Sequence, residues 1–85
     1  MTTKQKFIDM LVQRGMFESQ AEQVMEKAMP VIDSTVENYR FTWDRPASEY
    51  PEQLYPMIFS TTIKPIALAW IEENKPMAWF KAIFQ

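Results

Sequence analysis

The 85-residue chain contains no cysteine and no histidine. Without cysteine it can form no disulfide, carry out no thiolate chemistry and build no zinc site of the usual Cys/His kind. Without histidine it has no imidazole to act as a general base near neutral pH, and no His-based catalytic triad can exist. Together these two absences exclude most nucleophilic and zinc-dependent enzyme classes.

Glycine is nearly absent as well, with one residue, Gly15, where an average protein has about 7 %. A glycine-rich phosphate loop is therefore excluded, and so are the Asn-Gly and Asp-Gly hairpin turns of β-proteins. We therefore predict an all-α fold, a single domain over residues 1–85 with four to five short helices and a proline-rich central loop. The alternative is an α+β fold with one short strand near Arg40–Trp43.

The first helix is predicted from Thr3 to Arg14. Thr2 and Gln5 have the spacing of a capping box, with Thr2 at the N-cap. Gly15 follows the helix directly, where a left-handed residue commonly ends it, and glycine adopts that conformation at little cost.

The second helix is predicted to start at Ser19, which has capping-box spacing to Glu22 and follows the apolar Phe17. Apolar residues then recur at helical spacing as far as Tyr39. Pro30 lies inside this pattern without shifting its phase. We therefore expect a kinked helix or two nearly coaxial pieces at Pro30.

The C-terminal half is predicted to contain three helices, each opened by a proline. They begin at Pro51, near Pro65 and at Pro76, and they end at about Thr62, Asn74 and Phe84. The tetrapeptides Lys64-Pro-Ile-Ala and Lys75-Pro-Met-Ala are each followed closely by a tryptophan, Trp70 and Trp79, which we interpret as structural residues of two similar helix starts.

Charge is unevenly distributed, because residues 1–17 carry a net +2 and residues 18–38 a net −4. On a helical wheel the acids of the second segment fall within about 100° of arc. They are Glu18, Glu22, Glu26, Asp33 and Glu37. This face is either a solvated surface, which could lie against the basic first helix, or a docking strip for a basic partner. A single stripe does not converge on a point, so no metal site is expected.

The last segment is strongly apolar, since seven of the eight residues 77–84 are hydrophobic. A helix that is apolar all round is normally buried on several sides. We expect Trp79 and Phe80 to anchor it in the core. Met77 or Phe84 would then lie at the edge of an intermolecular patch. In the alternative interpretation the whole segment fills the core and leaves no patch.

No catalytic constellation is apparent, and Glu72 and Glu73, being adjacent, diverge by about 100° on a helix. We therefore expect a non-enzymatic protein-binding or assembly module without cofactor or small-molecule substrate, whose partner is another protein or a second copy. Its size is typical of phage and mobile-element accessory proteins, which is an analogy of class only.

The alternative function is weak nucleic-acid binding, in which Phe41 and Trp43 stack on bases beside Arg40 and Arg45. Scattered basic residues and a pI of about 5.0 argue against it. The longest uncharged run, Gln53–Ile63, is far shorter than the roughly 20 residues of a membrane span. We therefore expect a cytoplasmic protein that binds no membrane.

Overall fold

The computed structural model describes residues 1–35 and 41–74, which form three α-helices and no β-strand. The helices are α1 (Thr3–Gln13), α2 (Glu18–Thr35) and α3 (Leu54–Asn74). The all-α prediction is confirmed, and no strand supports the α+β alternative in the part of the chain described. The count of four to five helices is not confirmed, and the predicted helix from Pro76 to Phe84 lies outside the described residues.

The start of α1 follows the sequence prediction. The Thr2 hydroxyl accepts a hydrogen bond of 3.2 Å from the backbone N–H of Gln5, so Thr2 is the N-cap. The Gln5 side chain instead donates to Asp9 at 2.9 Å. The reciprocal half of the expected capping box is therefore not formed.

The end of α1 is a Schellman motif built on Gly15. Gly15 has a φ of 105°, as its position predicted. Its N–H donates to the carbonyl of Val12 at 3.0 Å, and the N–H of Met16 donates to that of Leu11 at 3.3 Å. Together with the bond from the N–H of Arg14 to the same Leu11 carbonyl at 3.0 Å, these two bonds satisfy carbonyls of the last helical turn.

The N-cap of α2 lies two residues before the predicted one. The carbonyl of Phe17 accepts from Ala21 at 2.9 Å, so Phe17 is the N-cap, and its own N–H donates to the side-chain oxygen of Gln20 at 3.1 Å. Ser19 as the N-cap is therefore wrong, because it lies inside the first turn of the helix. Gln20 binds back to the N-cap as the third residue of a capping box does.

Pro30 lies within α2 and does not begin a second helix, because the helix continues to Thr35. Having no N–H, Pro30 cannot donate to the carbonyl of Glu26. The Glu26 carbonyl therefore lacks its usual helical donor.

The structure joins two of the predicted helices into α3. An α-helical part, Leu54–Ile58, passes into a π-helical turn, Phe59–Ile63, and then into a second α-helical part, Lys64–Asn74. The N–H of Lys64 donates to Phe59, five residues back. Pro65 follows this wide turn and starts no new helix. The helix predicted to begin at Pro51 begins at Leu54.

The π-helical turn keeps one face of α3 directed at the core. Core side chains recur at every fourth residue of α3, at Tyr55, Phe59, Ile63, Ala67 and Ile71. On a uniform α-helix this spacing drifts by about 40° per step. The wider turn holds more residues per turn and so removes part of that drift.

One contiguous core joins the three helices to the segment that precedes α3. The centre of the Phe7 ring of α1 lies 5.3 Å from the centre of the Tyr55 ring and 5.8 Å from that of the Phe41 ring. The N-terminus is bound to the same segment, because the N–H of Thr3 donates to Arg45 and that of Ala47 donates to Met1, both at 3.0 Å. Apart from a short 3-10 turn at Ala47–Glu49, no helix forms between Phe41 and Gln53.

Candidate functional site

Three carboxylates, Glu18, Glu22 and Glu26, lie one turn apart along α2, and we call them the acidic row. All three are exposed. Within the described residues none of them forms an ion pair or a side-chain hydrogen bond. Like charges four residues apart repel by a few tenths of a kcal/mol. The acidic row is therefore a negative surface without a counter-charge in the described part of the chain.

The basic residues of α1 and its end, Lys4, Lys6 and Arg14, form no ion pair with this surface among the described residues, and two of them contact α3 instead. The Lys6 ammonium lies 5.4 Å from the centre of the Tyr55 ring, and the Arg14 guanidinium lies 4.2 Å from the centre of the Phe59 ring. Arg14 also donates to the carbonyl of Met10 at 3.0 Å. Both cations thus make cation–π contacts with α3 and do not pair with the acids of α2.

Lys27, the only cation between residues 18 and 38, is also directed to α3. Its ammonium lies 2.9 Å from a carboxylate oxygen of Glu73. On a helical wheel Lys27 is about 140° from Glu22, so it lies away from the acidic row. The ion pair is exposed and contributes little to stability. Because Lys27 pairs with Glu73, it does not neutralise the acidic row.

Asp33 belongs to the predicted acidic face but has a different environment. Its carboxylate accepts a hydrogen bond of 2.9 Å from the indole N–H of Trp43. The Trp43 ring in turn makes edge contacts with Phe7 and Phe41, at 6.1 and 5.2 Å between ring centres. Asp33 therefore connects α2 to the segment before α3, whereas Glu37 lies outside the described residues.

The predicted nucleic-acid residues are not arranged as a stacking platform. Phe41 is only 4 % exposed, and base stacking requires an open ring face, so Phe41 as a stacking residue is wrong. Trp43 is half-buried, and Arg45 is exposed with its guanidinium 3.8 Å from Glu49. Arg40 lies outside the described residues.

The predicted C-terminal residues divide into two groups. Trp70 is buried against the core, and its carbonyl accepts a hydrogen bond of 2.9 Å from the Asn74 side chain. The others, Met77, Trp79, Phe80 and Phe84, lie outside the described residues.

Sequence reasoning missed the most exposed aromatic side chain that the structure describes. The Phe17 side chain is 63 % exposed at the start of α2, and Val12, near the end of α1, is 41 % exposed. An apolar residue before a helix often packs against the first turn, so the position of Phe17 does not by itself predict exposure. The only signal of a surface role is that Glu18 follows Phe17 directly.

Among the described residues, no group of three or more acidic side chains is placed to hold a metal ion. By length and composition alone α3 could cross a bilayer, with a mean hydropathy of 1.2 over an 18-residue stretch that is 39 % buried. A core helix meets the same criterion, and α3 packs Ile63 and Ile71 into the core.

Comparisons of the chain with protein-family models, with curated proteins and with solved structures find no match.

Proposed function

We propose that this protein is a non-enzymatic helical module that binds a basic protein partner through the acidic row. The observation that supports this function is the exposure of Glu18, Glu22 and Glu26 without a counter-charge in the described part of the chain. Their mutual repulsion opposes folding slightly, and a row of Lys or Arg on a partner would relieve it. Complementary charge also speeds the encounter and selects against acidic partners.

In this function the segment from Pro76 to Phe84 forms a fourth helix, anchored by Trp79 and Phe80. Met77 or Phe84 adds an apolar contact to the interface. The protein acts in the cytoplasm, and its partner is a different protein or, through the apolar contact alone, a second copy.

The test reverses the charge of the row with the double substitution Glu22→Lys and Glu26→Lys. Both positions are exposed, so the helical signal and the free energy of unfolding should change little. Binding of a synthetic Lys-rich helical peptide, measured by titration calorimetry, should fall at least ten-fold at an ionic strength of about 0.01 M, where surface charges are least screened.

The matched control is Glu49→Lys with Glu52→Lys, which changes the net charge equally but lies before α3. It disturbs the exposed pair of Glu49 with Arg45 and the electrostatic effect of Glu52 on Tyr55 but changes no residue of the acidic row, so it should retain the peptide. Equal loss of binding in both double variants would mean that only net charge matters. Unchanged binding in the row variant would make the acidic row an ordinary solvated face.

A further inference from the structure

Residues 41–53, which we call the strap, form the longest stretch without an α-helix in the described part of the chain. Phe41 is the only buried residue of the strap, Trp43, Ala47 and Tyr50 are half-buried, and the others are exposed. Each of the three helices, by contrast, contributes several side chains to the core. A segment with few buried apolar contacts and exposed hydrogen bonds has a low free energy of local opening. The strap is therefore held less firmly than the helices.

The strap supplies acceptors for the first N–H groups of α1. The N–H of Thr3 donates to the Arg45 carbonyl at 3.0 Å, and that of Lys4 donates to the Trp43 carbonyl at 3.5 Å. At the start of a helix these N–H groups have no acceptor within the helix. The hydroxyl of Thr3, which is fully buried, also donates to the Arg45 carbonyl, at 2.9 Å. None of these bonds lies within α1, so the helix keeps its own backbone bonds when the strap moves away.

Three further hydrogen bonds join the strap to the N-terminus, to α3 and to α2. The N–H of Ala47 donates to the Met1 carbonyl at 3.0 Å, and the Ala47 carbonyl accepts from the Tyr55 hydroxyl at 2.8 Å. The Trp43 indole N–H donates to the carboxylate of Asp33 at 2.9 Å. These bonds also lie outside the backbone bonding of the helices, so breaking them leaves the helices hydrogen-bonded.

Contacts within the strap hold its two ends together. The hydroxyl of Tyr50 accepts a hydrogen bond of 2.8 Å from the N–H of Thr42. The centre of the Phe41 ring lies 5.3 Å from that of Tyr50 and 5.2 Å from that of Trp43. Because these contacts involve strap residues alone, breaking the bonds to the helices does not remove them. They favour movement of the strap as one unit.

We propose that the strap opens and closes as one unit over the intact helices and that its opening uncovers the Phe7 ring. Phe7 is fully buried, and the strap rings of Phe41 and Trp43 lie 5.8 and 6.1 Å from it between ring centres. Withdrawal of both rings exposes Phe7 beside Tyr55, whose ring centre lies 5.3 Å away. An aromatic surface shared by α1 and α3 is thus accessible only in the open state. The strap contains no residue of the acidic row, so its opening does not depend on the proposed function.

Amide hydrogen exchange, followed by NMR under native conditions, measures the opening of each hydrogen bond. Two signals report on the strap: the Ala47 amide, which is bonded to Met1, and the Trp43 indole N–H, which is bonded to Asp33. The Val24 amide in the interior of α2 reports on global unfolding. After correction for intrinsic rates, we expect the strap signals to exchange at least about ten-fold faster than the Val24 amide. Equal protection of strap and α2 would overturn the proposal.

The substitution Thr3→Val tests whether the strap moves as one unit. It removes the hydroxyl bond to Arg45, keeps the size of the buried side chain and alters neither of the two reported bonds. Both strap signals should accelerate by the same factor, about two- to ten-fold, which corresponds to one hydrogen bond. An unchanged Trp43 signal, alone or together with the Ala47 amide, would overturn the single unit.

The control Ile71→Val separates opening of the strap from global unfolding. Ile71 is buried at the opposite end of α3 from Tyr55, and its contacts persist when only the strap opens. Loss of one methyl group should accelerate the Val24 amide by about two- to ten-fold and leave both strap signals unchanged. Equal acceleration of the strap signals in this variant would show that the strap opens only on global unfolding, which overturns the proposal.

Discussion

Gly15 is the residue on which the turn between α1 and α2 depends. Its φ of 105° lies where a Cβ atom meets the backbone, and a β-branched side chain meets it most severely. We therefore expect Gly15→Val to lower the free energy of unfolding by about 1–2 kcal/mol. Urea denaturation measures this, and Gly15→Asn is the control, because Asn tolerates the left-handed region and should cost less. Equal stability of the Val variant and the parent protein would contradict the assignment.

Tyr55 makes the free energy of unfolding depend on pH in the alkaline range. Its hydroxyl donates to the carbonyl of Ala47 at 2.8 Å, and burial raises the pKa of the phenol above its usual value, against a smaller lowering effect of Thr3. The folded state therefore holds this proton more tightly than the unfolded state does. The associated stability is fully present below a pH of about 10 and is lost as the pH rises through the folded pKa.

Replacing Tyr55 by Phe tests this linkage. Without the hydrogen bond the variant should lose about 0.5–1.5 kcal/mol near neutral pH. Between pH 9 and 11 its stability should fall less steeply than that of the parent protein, because it lacks the titrating phenol. Urea denaturation across this range compares the two slopes, so that titrations common to both proteins cancel. Parallel slopes would show that Tyr55 does not titrate with unfolding.

At the scale of the helices, Pro30 and Pro56, two of the exposed prolines, differ in position. Pro30 lies in the interior of α2 and leaves the Glu26 carbonyl without its helical donor, whereas Pro56 lies in the first turn of α3, where the N–H has no helical acceptor. We expect Pro30→Ala to stabilise the fold by about 1–2 kcal/mol. This is the gain in helix propensity less the conformational entropy that the unfolded chain regains when proline is removed.

The control is Pro56→Ala, which should change the free energy of unfolding by less than about 0.5 kcal/mol. Both values come from thermal or urea denaturation of the single variants. A gain of the same size at both positions would show that helix interior and helix start do not differ here. No gain at Pro30 would show that the missing hydrogen bond to the Glu26 carbonyl does not destabilise α2.

Local chemistry predicted the first two helices well and the third poorly. Thr2 and Gly15 act over three or four residues, so their roles could be derived from neighbouring positions alone. Pro65 was expected to begin a helix, but the π-helical turn admits it within α3. That turn is favoured by the alignment of Tyr55 with Ile71 on the core side, a requirement set by α1 and α2 and not visible in the local sequence.

At the scale of the whole molecule, the acidic row could be predicted because helical spacing alone brings Glu18, Glu22 and Glu26 together. The rest of the surface depends on tertiary packing. Packing pairs Asp33 with Trp43, buries Phe41 in the core and leaves Phe17 in water. Aromatic residues beside basic ones suggested the alternative of nucleic-acid binding, yet the Phe41 ring is buried, with its centre 5.8 Å from that of Phe7.

Because the protein is small, the loss of one buried tryptophan side chain is comparable to its whole free energy of unfolding. A chain of 85 residues has a total stability on the order of 5 kcal/mol, and truncating a buried Trp to Ala costs roughly 3–5 kcal/mol. Trp70 is buried, so Trp70→Ala should unfold the protein or nearly so. Trp70→Ala therefore shows how much stability the loss of a core tryptophan costs. The other variants are compared with it by circular dichroism and urea denaturation.

Trp79→Ala should match that loss if Trp79 anchors the last helix in the core, as we predict. Phe84→Ala should instead keep the helical signal and the free energy of unfolding, and weaken association with the partner or a second copy, measured by light scattering at high concentration. Loss of folding in both variants would favour a segment wholly inside the core. A fold that tolerates Trp79→Ala would show that the core of α1, α2 and α3 does not depend on that side chain.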